Sequence, residues 1–117
     1  MKIYQGFRKG SSAFVYVDNQ ELDIKRSLKV RNHAEDFEWG YRGSGPTQLA
    51  LALMLDVFDE KITSDWYLFF RDDIINELPH DNWVLLDLQI KEWLDKQLQK
   101  PDSRDENLDN GYGTWWV

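Results

Sequence analysis

The segment Phe37-Glu38-Trp39-Gly40-Tyr41-Arg42-Gly43-Ser44-Gly45-Pro46-Thr47-Gln48-Leu49 comes nearest to carrying chemistry. Three glycines in six positions call for positive φ angles, close backbone approaches, or both. Pro46 suits the first turn of a helix, where its missing N–H has no partner to lose. Backbone N–H groups then point outward at the positive end of a helix dipole, and Arg42 is close in sequence. That combination is a generic anion site, with Arg42, Gly43, Ser44, Gly45, Thr47 and Gln48 as its candidate residues. It is not a Walker loop, which ends in Gly-Lys-Ser/Thr, and its glycine spacing is not that of a dinucleotide fingerprint. The plainer reading is a tight turn that aims a core helix, with Ser44 or Thr47 as the cap.

Other reactive groups are weaker candidates. His33 precedes Glu35, Asp36 and Glu38, but one His among loop carboxylates lacks the spacing of a metal motif. Ser44 is no nucleophile elbow, because Arg42 stands where the first glycine belongs. No catalytic residue, metal ligand or cofactor is therefore expected. Tyr4, Phe7, Phe14 and Tyr16 would form a base-stacking platform if they shared one sheet face near Arg8, Lys25 and Arg31. Strand alternation, however, must turn one set toward the helices. Trp66, Phe69, Phe70 and Trp93 read as core. Tyr112, Trp115 and Trp116, beyond an acidic stretch, are expected either to pack back on the domain or to dock on a protein partner or second copy.

Charge and composition frame these choices. The 117 residues carry a net −7, with no Cys. Residues 1–31 hold seven basic and three acidic side chains, and the remaining 86 hold seven and 18. An acidic chain is a poor non-specific ligand for polyphosphates, so nucleic acid is an unexpected partner. The absence of Cys removes a disulfide framework, and nothing resembles a membrane span or a signal peptide. A cytoplasmic setting is the expectation.

These groups need elements to position them. Residues 2–8 alternate like a strand, 13–17 form a β-branched and aromatic run, and Leu22 and Ile24 alternate with Asp23 and Lys25, with Ser27 to Val30 as an extension. From Pro46 a run apolar on every side predicts a central helix. A second helix is expected from about Asp65, capped by Thr63 or Ser64 and stopped by Pro79. Residues 83–86 suggest a strand, and a third helix is expected to follow with Asp87 as its cap. The order is β-β-β-α-α-β-α, an α+β domain over 1–100. A small antiparallel sheet packs on three helices, followed by an acidic linker and aromatic tail over 101–117.

Trp39-Gly40-Tyr41, then Gly43-Ser44-Gly45-Pro46, then Gln48-Leu49-Ala50-Leu51-Ala52 resembles the hallmark of a small family, domain of unknown function 6166. Tyr4-x-Gly6-x-Arg8, Val15-x-Val17-Asp18 and Leu22 are similar too, and the likeness covers about residues 2–98. The resemblance implies a prokaryotic or phage setting. It carries no activity, cofactor or catalytic residue with it. Members tend to be basic in the second helix, whereas here Arg71 is followed by Asp72 and Asp73.

Together these readings lead to a non-enzymatic binding or accessory domain associated with a mobile element or phage. The alternative is an acidic inhibitor or nucleic-acid mimic, in which Asp72, Asp73, Glu77, Asp87, Asp95 and the acids of the linker imitate phosphates toward a basic partner protein. A small enzyme using the glycine turn as an oxyanion or phosphate cradle is the third reading.

Overall fold

Alternation along the first strand decides the architecture. In the computed structural model, which describes residues 1–100, β1 (Ile3–Lys9) pairs antiparallel with β2 (Ser12–Val17) on one side. On the other side it pairs antiparallel with β4 (Asn82–Leu86). Asp18 and Asn19 both take positive φ, 48° and 69°. A turn of that hand matches the twist of a two-residue hairpin, and it returns the chain into β3 (Gln20–Glu21). The four-stranded sheet runs β3-β2-β1-β4.

Its register sorts the side chains. Tyr4, Gly6 and Arg8 stand opposite Val17, Val15 and Ala13 on one flank, and Tyr4 and Gly6 stand opposite Leu85 and Trp83 on the other. This set faces the helices, and Tyr4, Val15, Trp83 and Leu85 are buried. Gln5, Phe7, Phe14, Tyr16 and Val84 take the opposite face, because successive residues of a strand point to opposite sides.

The central helix is α2 (Ser44–Val57). Every residue from Gly45 to Leu55 is buried, as expected of a helix apolar all round. It packs against α1 (Lys25–Val30), α3 (Glu60–Asp73) and α4 (Asp87–Leu98). At its far end, the Tyr4 hydroxyl donates to Asp56 Oδ2 at 2.6 Å. Phe70 and Trp93 join the core as expected, and Trp66 and Phe69 pack on its rim.

The structure corrects four element boundaries. Residues 25–30 form helix α1 rather than a strand extension, so β3 is only two residues long. The Asp23 carboxylate accepts from the Lys25 N–H at 2.8 Å and starts the helix; two alternations were too few to separate strand from helix. α3 begins at Glu60, not near Asp65, because Asp59 caps it by accepting from the Ile62 N–H at 2.8 Å. That leaves Thr63 buried inside the helix. α3 stops at Asp73, and a 3-10 turn at Ile75–Glu77 carries the chain on toward Pro79. Leu86, rather than Asp87, caps α4: its N–H is taken by the Gln89 side chain at 2.8 Å, while the Asp87 N–H donates to Lys2 O. The order is therefore β-β-β-α-α-α-β-α, still α+β. Among the described residues, no helix is long and apolar enough to cross a membrane.

Candidate functional site

The glycine turn is built into the domain from both sides. Gly43 precedes α2 in an extended conformation, φ 174°, and Ser44 is the first helical residue. Gly40 takes φ +82°, and its N–H donates to Ile75 O at 3.0 Å. A Cβ on Gly45 would lie 2.7 Å from Glu38 Cβ, so glycine here lets the Glu38 stem lie against the helix. The Glu38 carboxylate is ion-paired at 2.8 Å with Arg8, whose side chain is 13% exposed. The Arg8 guanidinium lies 4.5 Å from the centre of the Trp39 ring, and its Nε donates to His80 O at 2.8 Å. Trp39 Nε1 donates to the same carbonyl at 2.9 Å. One strand cation thus fastens two loops to the sheet.

The six candidate anion ligands separate into two groups. Arg42, Gly43 and Ser44 are exposed, whereas Gly45, Thr47 and Gln48 are buried. The Thr47 N–H and hydroxyl both donate to Gly43 O, at 3.2 and 2.9 Å, and the hydroxyl accepts from Arg71 at 3.3 Å. Gln48 is fully buried and fully engaged. Its Oε1 accepts from the His33 and Ala34 N–H groups at 2.7 and 3.2 Å. Its Nε2 donates to Ser27 Oγ at 2.9 Å and Arg31 O at 3.1 Å. A carboxamide has two donors and two acceptor lone pairs, so Gln48 clamps α1 and the following loop to α2 with nothing left for a ligand. Sequence reasoning missed this clamp, because a Gln inside an apolar helix names no partner.

Beside the clamp, His33 Nε2 and the Tyr67 hydroxyl are 2.7 Å apart. Burial, then Arg31 and Arg71, lowers the imidazole pKa, while burial raises that of the phenol. A neutral His33 sharing a hydrogen bond with neutral Tyr67 is a structural contact. Among the described residues, no group of three or more His, Asp or Glu is placed to hold a metal ion. Three of the acids proposed as phosphate mimics are engaged within the domain: Asp72 accepts from Arg71 at 2.8 Å, Asp73 from Trp93 Nε1 at 2.9 Å, and Asp87 is ion-paired with Lys91 at 4.0 Å.

The opposite face of the sheet differs. Phe7 sits 5.4 Å, centre to centre, from both Phe14 and Tyr16. Ile3, Phe7 and Val84 are 42, 38 and 57% exposed. A depression of about 350 Å³ lies at Gln5, Gly6, Phe7, Asn82, Trp83 and Val84. The four aromatics are thus divided, with Tyr4 inside and three rings outside, and Arg8 lies on the helix side, away from those rings.

The chain belongs to a family of unknown function, DUF6166. The family matches residues 4–96, which takes in the sheet, the turn and most of α4. No curated protein and no solved structure matches the chain. Tyr112, Trp115 and Trp116 lie outside the described residues, as does the 101–117 segment.

Proposed function

We infer that this member of DUF6166 is a non-enzymatic binding domain that engages a protein partner through the uncovered face of its sheet. The observation that carries this reading is the Phe7–Phe14–Tyr16 cluster with Ile3 and Val84. Among the described residues no helix packs against it, and exposed apolar patches of this kind mark interaction surfaces. Two facts favour protein over nucleic acid as the occupant. The chain carries a net −7, and Arg8, the cation nearest the rings in sequence, is committed to Glu38, Trp39 and His80 on the other side. Thr47 and Gln48 behind the turn spend their hydrogen bonds within the domain, which supports a scaffold role for it. The family resemblance supports an accessory role tied to a mobile element or phage, and the absence of Cys supports a cytoplasmic setting.

A photocrosslinking residue placed at Phe7 or Val84, in the cells that make the protein, tests the reading. The expected product is an adduct with another protein that is absent when the crosslinker replaces Lys61 on α3, a residue 87% exposed in its side chain. Adducts with nucleic acid, adducts confined to residues 101–117 of the same chain, or equal adducts from both positions overturn it.

A further inference from the structure

The outer edge of β2 is only half used. The Asp18 N–H donates to Ile3 O at 2.9 Å, and the Leu22 N–H donates to Val15 O at 2.9 Å. Antiparallel pairing alternates along a strand, so Ser12, Phe14 and Tyr16 bond toward β1, while Ala13, Val15 and Val17 bond away from it. β3 ends at Glu21 and the chain leaves for α1 at Lys25. Ala13 therefore presents its N–H and C=O to a side where no strand of the described residues runs.

A groove lies at that edge. A cavity of about 380 Å³ is bordered by Ser12, Ala13, Phe14, Asp36 and Glu38, among others. A second cavity of about 110 Å³ involves Val15 and Glu35. Both include Ala13, Glu21, Asp36 and Phe37, so they lie side by side between β2 and the 35–38 loop. Neighbouring strands sit about 4.8 Å apart, and this side of Ala13 is where such a strand would lie. The groove's charge is one-sided. Glu38 is neutralised by Arg8. Glu21, Glu35 and Asp36 are exposed, and no basic group of the described residues lies within ion-pair distance of them.

We propose that this groove takes an extended basic peptide segment, which adds a strand to β2 at Ala13 and sets Lys or Arg side chains against Glu21, Glu35 and Asp36. Strand addition draws affinity from main-chain bonds and selectivity from flanking side chains; here the selectivity is for positive charge. The surface lies at the opposite sheet edge from Val84, and its occupancy is independent of the reading above.

The test follows backbone amide shifts of the isotope-labelled protein as an alternating Lys-Val peptide, or its Glu-Val counterpart, is added. The Lys-Val peptide is expected to shift Ala13 and its neighbours, and its affinity to fall roughly tenfold in high salt as screening removes the charge attraction. The triple variant Glu21→Gln, Glu35→Gln, Asp36→Asn changes only exposed side chains and is expected to lose roughly tenfold in affinity for the same electrostatic reason. Ala13→Pro removes only the outward N–H, a change that edge strands accept, and should abolish the shifts while the protein stays folded. Equal binding of the Glu-Val peptide, undiminished binding by the triple variant or by folded Ala13→Pro, or shifts confined to Phe7 and Val84 overturn the proposal. None of these outcomes changes the crosslinking result expected at Phe7.

Discussion

The Arg8 guanidinium lies 4.5 Å from the centre of the Trp39 ring, with Trp39 completely buried and Glu38 ion-paired at the same cation. A strand side chain thereby fixes the loop that delivers the glycine turn to α2. Removing a charge from a largely desolvated pair leaves its partner exposed to the full desolvation cost. Arg8→Ala is expected to lower stability by about 2–4 kcal/mol, combining the stacked-cation and ion-pair contributions. Arg8→Lys should recover little of it, since an ammonium cannot stack and bond in the same plane. Urea unfolding followed by Trp fluorescence measures both.

Gln48 offers a sharper contrast. Gln48→Leu preserves bulk but strands the His33 and Ala34 N–H groups, and the expected loss is about 2–4 kcal/mol for two buried donors. Gln48→Glu keeps the acceptor for His33 and Ala34 and, with its carboxyl protonated in the buried site, one of the two donated bonds, so it should fall between wild type and Leu at neutral pH. Hydrogen exchange at His33 and Ala34 should accelerate in Gln48→Leu.

Gly6 leaves room on β1 for the Trp83 ring of the paired strand β4. A Cβ there would fall 2.3 Å from the Trp83 ring. The buried ring, 5.6 Å edge-on from Trp39, has little room to retreat. Gly6→Ala is expected to cost about 1–3 kcal/mol through overpacking. The cost should shrink in a Trp83→Leu background, because contacting residues are not additive. Thermal melts of the four proteins in that cycle decide it.

Acid titrates the His33 contact. Burial, with Arg31 and Arg71 adding to it, holds the native imidazole below its ordinary 6.5. Between the native and unfolded values the unfolded chain binds more protons, so stability rises with pH across that window. The contribution is complete above about 6.5 and is lost progressively as the pH falls toward the native value. His33→Gln should flatten this part of the stability–pH curve, and NMR titration of the imidazole should give a midpoint below 6.5.

Arg42 is expected to be silent in folding. It is exposed beside an extended Gly43, and Arg42→Ala should change stability by less than about 0.5 kcal/mol, as surface substitutions do. Inorganic phosphate should leave the melting temperature of both proteins alike.

Much of this was legible in one dimension. Period-two spacing in residues 2–8 and 13–17 fixed two strands, and apolar saturation from Leu49 to Leu55 placed the central helix. The Gly40–Pro46 string gave the turn and, with Tyr4-x-Gly6-x-Arg8, the family. Those signals are local: each depends on neighbours within one or two turns of the chain. Sequence could also say that Tyr4, Phe7, Phe14 and Tyr16 must divide between two faces. Only tertiary structure decided which face stays bare, because β4, arriving from residues far along the chain, places Trp83 and Leu85 on the helix side with Tyr4. Packing likewise turned Arg8 from a candidate surface cation into an internal fastener, and Gln48 from a candidate ligand into a clamp. A side chain's chemistry is set by its type, but whether its bonds are spent inside the fold or left for a partner depends on what long-range packing brings within 3 or 4 Å, roughly the reach of a hydrogen bond or contact.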